Sequence, residues 1–365
     1  MARLGQGDSL SKGNAKERGR AHVCCEAVRI RIFSRGAAIP LAVFGVLVGV
    51  GAVWAWWTMI RMPGRSYAGS LEPLDARGSS VRDRLRADVE ALAGSIGERS
   101  VRSPRGLSKA ADHIAAELTA AGLTPARQTF VVEGVPCDNV EAEVRGRDQS
   151  DDIVIVGAHY DSVAFTRGAN DNGSGVAALL ALARTFATQH PRTTLRFVAF
   201  ANEEPPYFQT PNMGSLVYAL RSRQRRERIV AMLSLETIGY YSDEPGTQRY
   251  PLPLSLVYPD RGNFIGFVGD RASVGLVRRI VGTFRAAARF PSEGAALVAS
   301  LPGVGWSDQW SFWQVGYPGV MVTDTAPFRY PRYHTGNDTP DQLDYARMTR
   351  VVIGLEQVVG DLSGA

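Results

Sequence analysis

The sequence predicts an α/β protein: a three-layer sandwich with a mostly parallel, mixed central sheet, preceded by one transmembrane helix. Three observations support this fold class. Apolar strand-like segments alternate with amphipathic helical segments from about residue 80 onwards. One 24-residue segment near the N-terminus carries no charge. Histidines and acidic residues recur where successive apolar strands end, which is the carboxyl edge of a parallel sheet.

The charge of the chain is concentrated at its N-terminus. The composition is ordinary for a globular protein, with 45% hydrophobic and 21% charged residues. Residues 1–36 carry eight Lys or Arg against three Asp or Glu, which accounts for the whole formal net charge of +5. The remaining chain is neutral overall, which excludes a nucleic-acid-binding domain with a broad basic surface.

The uncharged segment spans residues 37–60. At about 1.5 Å per residue, a helix of this length crosses the hydrocarbon core of a bilayer with some tilt. Because the basic tail precedes it, the positive-inside rule predicts a cytoplasmic N-terminus and a periplasmic or extracellular remainder. A cleaved signal peptide is the alternative. The apolar run is longer than usual for one, and Met-Ile-Arg-Met-Pro is a poor cleavage site, so we predict an uncleaved membrane anchor.

Four regions are expected: a basic cytoplasmic tail (1–36), a transmembrane signal anchor (37–60), a linker (61–79) and one folded domain (80–365). The exported part contains a single cysteine, Cys137, and therefore no internal disulfide. Its stability must come from a hydrophobic core, for which a domain of this size is large enough.

Within the folded domain, helices are expected over 81–97 and over 108–123, the second with Ser108 as its N-cap. QTFVVEG and DNVEAEVRG predict an antiparallel pair, and DIVIVGAHY (152–160) predicts a fully buried strand. The later elements are strands in TTLRFVAFANEE, IVAMLSLETIGY, FIGFVGD and PGVMVTDT, with helices between them and a final helix over 341–359.

Six acidic or histidine side chains follow the predicted strands or lie in loops at the same edge. They are His159, Asp171, Glu203, Glu204, Glu236 and His334. Each has a structural alternative, such as a surface pair, a turn residue or a helix N-cap. The joint pattern favours a functional site, because the structural alternative must explain each residue separately.

Imidazole nitrogen and carboxylate oxygen are zinc-type ligands. Two ions at the usual two-metal spacing need a bridging carboxylate, and Asp171 suits this role because its neighbours are small. His159 and Glu236 would complete one zinc site, and Glu204 and His334 the other. Two Zn²⁺ per chain would lower the pKa of a water between them and make it the nucleophile.

Two further roles are expected beside the metals. Glu203 is predicted to be the general base, which takes the proton from that water and delivers it to the leaving amine. Asp161 is predicted to support catalysis by accepting the free ring N–H of His159 and fixing its tautomer.

The motifs GAHYDS, GANDNGSG, FANEE and RYHTGNDTPDQLD resemble the exported zinc aminopeptidase family of clan MH, over about residues 80–362. That family also contains plasma glutamate carboxypeptidase-like enzymes and glutaminyl cyclases. The resemblance implies a phosphorylase/hydrolase-like zinc exopeptidase fold with co-catalytic zinc. The family's first His ligand, bridging Asp, general base, next Glu ligand and final His fall on His159, Asp171, Glu203, Glu204 and His334.

Two positions depart from the family pattern. Glu236 stands where the remaining ligand is usually an Asp, and its longer arm can alter metal occupancy or preference. Asn172 follows the bridging Asp where a second Asp is often found, which changes the expected local charge.

The sequence therefore predicts a membrane-anchored aminopeptidase that removes N-terminal residues from peptides. The proline-rich segment 205–215 is expected to wall the cleft, and one or two aromatics of segment 303–319, which contains Trp306, are expected to line an apolar pocket. A glutaminyl-peptide cyclotransferase with a single zinc is the nearest alternative. A binding protein that has lost its activity is a third, and the presence of Glu203 argues against it.

Overall fold

The computed structural model describes residues 35–148 and 151–365. The predicted basic tail lies almost entirely outside the described residues, so its role in topology stays a prediction. The described residues up to Gly51 form one compact unit, and Ala52–Ala365 form the other.

The uncharged segment is helical. Helix α1 spans Arg35–Ala55 and is followed by a π-helical turn over Trp56–Ile60. The stretch Ile39–Ile60 is 22 residues long with a mean hydropathy of 2.0, so by length and composition it can cross a membrane. The absence of charge predicted a helix long and apolar enough to span a membrane, and the segment forms such a helix.

The second unit contains the remaining helices and all the strands of the described residues. Helices α2 to α9 span Ala76–Val89, Pro104–Ala120, Gly175–Phe186, Gly214–Gln224, Val274–Ala287, Gln309–Gln314, Ala326–Arg329 and Tyr345–Ser363. Strands β1 to β8 span Ala126–Val132, Val135–Val144, Asp152–His159, Thr194–Phe200, Arg228–Glu236, Ile265–Asp270, Ser292–Leu297 and Gly319–Thr323.

Among the described residues, eight strands form one mixed sheet in the order β1-β2-β4-β3-β5-β8-β6-β7. The four central strands β4, β3, β5 and β8 are parallel, while β1–β2, β2–β4 and β6–β8 pair antiparallel. The predicted mostly parallel, mixed sheet and its antiparallel first pair are confirmed. The carboxyl ends of the four parallel strands therefore meet at one edge.

The sheet divides the core into two layers, and the side chains of β3 alternate between them. Val154, Val156 and Ala158 pack on the face covered by α2, α3, α4, α6 and α9, whereas Ile153 and Ile155 pack on the face covered by α5 and α7. Successive side chains of a strand point to opposite faces, so a continuous apolar run is buried from both sides. The three-layer sandwich is confirmed.

Three local expectations differ from the structure. Helix α2 begins at Ala76, inside the predicted linker, because the Asp75 carboxylate caps the Gly78 N–H at 2.7 Å. Ser108 is not an N-cap: helix α3 begins at Pro104, whose fixed φ suits the first helical position. Strand β7 was not predicted, because SEGAAL has neither β-branched residues nor an alternating pattern.

Arg99 ties the segment between α2 and α3 to the carboxyl edge of the sheet. Its side chain is fully buried. Its guanidinium donates to the carbonyls of Tyr160 (2.6 Å), Arg167 (2.6 Å), Gly168 (2.8 Å) and Gly97 (2.8 Å). A planar fork with several donors satisfies this set of carbonyls, which a lysine ammonium cannot match.

We expect Arg99→Lys to lower the free energy of unfolding by about 3 kcal/mol, because buried carbonyls lose charge-assisted hydrogen bonds. Chemical denaturation of the full chain in detergent micelles measures the change. Arg102→Lys is the matched control, because Arg102 is exposed and three residues away, and it should leave stability nearly unchanged. Equal stability of the two variants would contradict the role assigned to Arg99.

Candidate metal centre

The six candidate side chains lie together at the carboxyl edge of the parallel strands. His159 and Glu236 are the last residues of β3 and β5, and Glu203 and Glu204 follow the end of β4. These four side chains and Asp171 are buried, and His334 is partly exposed. The structure thus brings every predicted site residue to one place, while their roles as ligands and base stay predictions.

Asp171 lies between the two histidines. Its Oδ1 is 3.4 Å from His159 Nε2, and its Oδ2 is 3.0 Å from His334 Nε2. His159 Nε2 is also 3.1 Å from Glu236 Oε2, and His334 Nε2 is 3.2 Å from Glu204 Oε2. One carboxylate is therefore shared by two clusters, His159–Asp171–Glu236 and Asp171–Glu204–His334, each compact enough to hold a metal ion.

The backbone around Asp171 is held by a second carboxylate, Asp338. The N–H groups of Asn170 and Asp171 donate to the two oxygens of Asp338 at 2.8 and 3.0 Å, and the Tyr330 hydroxyl donates to one of them at 3.0 Å. The Asn170 amide also donates to Asp324 at 2.9 Å. Asp338 lies in the predicted TGNDTP loop but was not assigned a role, because its partners are 167 and 168 residues away.

The Asn172 side chain both donates and accepts hydrogen bonds, which an ionised carboxylate cannot do. Its amide nitrogen donates to the Leu235 carbonyl at 2.8 Å, and its amide oxygen accepts from the N–H groups of Thr237 and Gly175, both at 3.1 Å. It thereby joins the turn after Asp171 to the end of β5, which carries Glu236. A Cβ at Gly175 would lie 2.4 Å from the Leu235 carbonyl, so glycine is required there.

Asp161 makes contacts beyond the one predicted with His159. Its two oxygens accept the backbone N–H groups of Glu203 and Glu204 at 3.0 and 3.1 Å. It also faces His159 Nδ1 at 3.4 Å, but that nitrogen has no hydrogen-bond partner among the described residues. Asp161 therefore positions the Glu203–Glu204 pair, in addition to lying beside the histidine ring.

Three residues at this edge have left-handed backbone conformations: Asn202 (φ 58°), Thr237 (φ 42°) and His334 (φ 57°). Asn202 directly precedes Glu203, and Thr237 directly follows Glu236. Non-glycine residues adopt positive φ only when their surroundings hold them there. These conformations turn the chain sharply where the acids must face inwards. The His334 ring stacks on Tyr333 at a centroid distance of 3.8 Å.

Two functional residues were missed from the sequence. Ser307 donates to Glu236 Oε2 at 2.7 Å. Asp308 is fully buried, and neither of its carboxylate oxygens has a hydrogen-bond partner among the described residues. Burial, with Glu236 and Asp161 nearby, raises the pKa of Asp308 to about 7. The available signal was an acidic residue within an aromatic-rich segment, GWSDQWSF.

The cluster contains more acidic than basic side chains. Burial and repulsion by Asp171 raise the pKa of Glu204 to about 8. Burial, with Glu236 and Glu204 nearby, raises the pKa of Glu203 well above its usual range. Burial tends to lower the pKa of His334, but Asp171 and Glu204 outweigh it and raise that pKa to about 10. Without a cation, protons must neutralise the buried acids.

The donor set fits a divalent metal. Asp171 Oδ2, Glu204 Oε1 and His334 Nε2 are buried, and none of them makes a hydrogen bond of proper geometry among the described residues, although Asp171 Oδ2 and His334 Nε2 lie 3.0 Å apart. Buried polar atoms left unpaired are costly, and a shared cation would satisfy all three. Nitrogen and carboxylate donors without thiolate are typical of zinc sites of this kind.

Two clefts border the cluster. One is apolar and runs from Glu236 and Tyr333 past Trp306, Phe267 and Tyr258. The other lies beside Glu204 and is lined by Pro205, Pro206 and Tyr207. Trp306 is thus one aromatic of segment 303–319 that lines the apolar cleft, and the proline-rich segment lines the second cleft, beside Glu204. Phe312, from the same aromatic segment, is buried in the core instead.

Comparisons with known proteins agree with this architecture. A model of peptidase family M28 matches residues 139–359. The chain is 36% identical to protein YfbL of Escherichia coli K12 over 282 residues, which cover 75% of this chain and 86% of that protein.

Solved structures share the fold. BSAP, a zinc aminopeptidase from Bacillus subtilis, matches with a TM-score of 0.62 and 16% identity, over 77% of this chain and 95% of that chain. A glutaminyl cyclase from Porphyromonas gingivalis matches with a TM-score of 0.60 and 17% identity, over 77% and 98%. The resemblance deduced from the sequence motifs is confirmed.

The affinity for zinc is expected to rise with pH between 6 and 8. His334 and Glu204, with pKa values of about 10 and about 8, hold protons over most of this range and must release them to bind a cation. Each proton displaced gives about a tenfold increase in affinity per pH unit. Competition with a chromophoric chelator measures it. Glu204→Gln should show a shallower dependence, and a flat profile for the parent protein would contradict the prediction.

Proposed function

The chain belongs to peptidase family M28, whose zinc aminopeptidase-like members are hydrolases, and we propose that it is a membrane-anchored aminopeptidase with two zinc ions. Its proposed substrates are peptides, from which it removes N-terminal residues. The catalytic domain is proposed to lie outside the cytoplasm.

The observation that carries the two-metal proposal is the position of Asp171. Its oxygens face different histidines, His159 at 3.4 Å and His334 at 3.0 Å. A carboxylate that belongs to two clusters at once is the arrangement expected for a bridge between two ions. On this basis His159, Asp171 and Glu236 would hold one zinc, and Asp171, Glu204 and His334 the other.

Glu236 reaches the cluster despite its longer side chain. Its Oε2 accepts from Ser307 at 2.7 Å and lies 3.1 Å from His159 Nε2. The serine therefore holds the carboxylate in a fixed orientation, which supports Glu236 as a ligand in the place where the family pattern has an aspartate.

Zinc, when bound, would polarise a peptide carbonyl and lower the pKa of water towards neutral. Glu203 is proposed to accept a proton from the attacking water and return it to the leaving amine. Its carboxylate is buried, lies 3.8 Å from His159 Nε2, and is held at the backbone by Asp161.

The apolar cleft supports a preference for large apolar N-terminal side chains. It opens from Glu236, and its walls include Leu254, Phe267, Val304 and Trp306. A charged substrate side chain would lose its water there, and of the residues that line the cleft away from Glu236 only Glu293 could pair with it. Leucyl and phenylalanyl peptides are therefore the proposed substrates to test first.

The membrane anchor is supported by the helix over Ile39–Ile60, which has the length and apolar composition of a membrane span. Arg61 directly follows, and its guanidinium stacks on the Trp57 ring at 3.9 Å. Tryptophan and arginine together are typical of a membrane–water interface. The basic residues before the helix support a cytoplasmic N-terminus.

Glutaminyl-peptide cyclisation is the second candidate function. It is favoured by the likeness of the fold to a glutaminyl cyclase, whose TM-score of 0.60 is close to the 0.62 of the aminopeptidase. A full set of donors for two ions favours hydrolysis instead.

Glu203→Gln is expected to lower kcat for a leucyl peptide by about 100-fold or more, because the proton acceptor is lost while the donors to the metal remain. Steady-state kinetics on the purified full chain measures the change, and metal analysis should find the zinc content unaltered. Glu204→Gln is the matched control, since it should lower the zinc content as well as the activity. A Glu203→Gln variant within about threefold of the parent rate would contradict the assignment.

Zinc content distinguishes the two candidate functions. We expect two ions per chain, loss of leucyl-peptide hydrolysis on chelation, and recovery on adding zinc back. Elemental analysis of the full chain, paired with assays of leucyl-peptide hydrolysis and glutaminyl-peptide cyclisation, measures this. One ion per chain together with cyclisation and no hydrolysis would favour the cyclase.

A further inference from the structure

A loop on the second unit exposes an unusual run of apolar side chains. Residues Tyr250–Pro259, of sequence YPLPLSLVYP, carry no charge. Leu252 and Leu256 are 81% and 82% exposed, the highest values among the large hydrophobic residues that the structure describes, and Val257 is 45% exposed. Neighbouring Val298 is also 45% exposed. Exposed apolar clusters of this kind mark interaction surfaces.

The loop lies beside the end of the apolar N-terminal helix. Its Leu254 and Tyr258 pack on a small core of Ala295, Leu297 and Val304. Met59 and Ile60, the last two residues of the candidate membrane span, pack on the same core. All of these residues belong to the unit Ala52–Ala365, so the loop is held next to the point where the chain would leave a bilayer.

Hydrogen bonds within the loop hold the backbone conformation in which its leucines are exposed. Residues Leu254–Leu256 form one 3₁₀ turn, in which the N–H groups of Leu256 and Val257 donate to the Pro253 and Leu254 carbonyls at 3.0 Å. The Tyr250 hydroxyl closes the loop by donating to the Pro259 carbonyl at 2.8 Å. Backbone groups that are satisfied within the loop lower the cost of placing it in an apolar environment.

We propose that the loop Tyr250–Pro259 is a second membrane contact, which inserts Leu252 and Leu256 among the lipid acyl chains of the leaflet where the anchor emerges. The proposal rests on the membrane anchor of the proposed function. Lipid is the partner that the position of the loop favours over another protein, because the membrane anchor would keep the loop beside the bilayer at all times. An uncharged loop with protruding leucines matches the acyl-chain boundary rather than the headgroup layer.

The contact would also orient the catalytic domain. Tyr250, Pro251, Leu254 and Tyr258 line the apolar cleft that leads to Glu236. A loop that touches the bilayer therefore places one wall of the cleft at the membrane surface, and two contacts restrict rotation of the domain more than the anchor alone.

The test uses the full chain with Cys24→Ser and Cys25→Ser, labelled with an environment-sensitive fluorophore at Leu256→Cys. Cys137 is retained because it is buried. The protein is reconstituted in phosphatidylcholine vesicles with and without acyl-chain nitroxide lipid. We expect the nitroxide to lower the emission about twofold. Leu252→Cys is the second probe position and should behave alike.

Val131→Cys is the control, because Val131 is 65% exposed but lies on β1, at the opposite edge of the sheet from β7. Its emission should not change with nitroxide lipid. Vesicle flotation in the same samples tests the anchor separately. A chain that floats while the probes at 252 and 256 are quenched no more than the probe at 131 overturns the loop contact and leaves the anchor intact. A chain that does not float overturns the anchor and this contact with it.

Discussion

The structure depends on keeping several carboxylates buried in contact with one another. Asp171, Glu203, Glu204 and Glu236 converge on two imidazoles at the end of a parallel sheet. Like charges out of water repel strongly, and burial alone already disfavours each ionised acid. The upward shifts in the pKa values of Glu203, Glu204 and Glu236 have this cause. Divalent cations would resolve the conflict, and without them protons must.

The scaffold holds these acids through backbone amides rather than through cationic side chains. Asp161 accepts the N–H groups of Glu203 and Glu204, and Asp338 accepts those of Asn170 and Asp171. Amide donors fix a loop without adding a cation that would compete with a metal. Arg99, which is fully buried near the site, donates its hydrogen bonds to backbone carbonyls. The loops of the centre are therefore held in place without a competing cationic side chain.

Elements with a strong hydrophobic period were predictable, and those without one were not. The buried run of β3 and the uncharged helix were identified from their residues alone, and the sheet type followed from the alternation of elements. Strand β7 was missed because its register comes from β6, not from its own SEGAAL sequence. The predicted start of α3 was too late, because Pro104 favours the first helical position and the helix begins there, four residues before Ser108.

The sequence by itself determined which donor atoms reach the edge of the sheet, because strand ends and metal-type residues are local features that one motif can carry. Only the tertiary structure decided how those donors are supported. Asp161 turned out to hold the backbone of Glu203 and Glu204, Asn172 to join its turn to β5, and Asp308 to lie unpaired in the interior. The hydrogen bonds of Asp161 and Asn172 join residues 42 to 63 positions apart in the chain. Hydrogen bonds between residues so far apart form only when the layers of the fold pack together. A single sequence carries no periodic pattern or motif spacing that reports such packing.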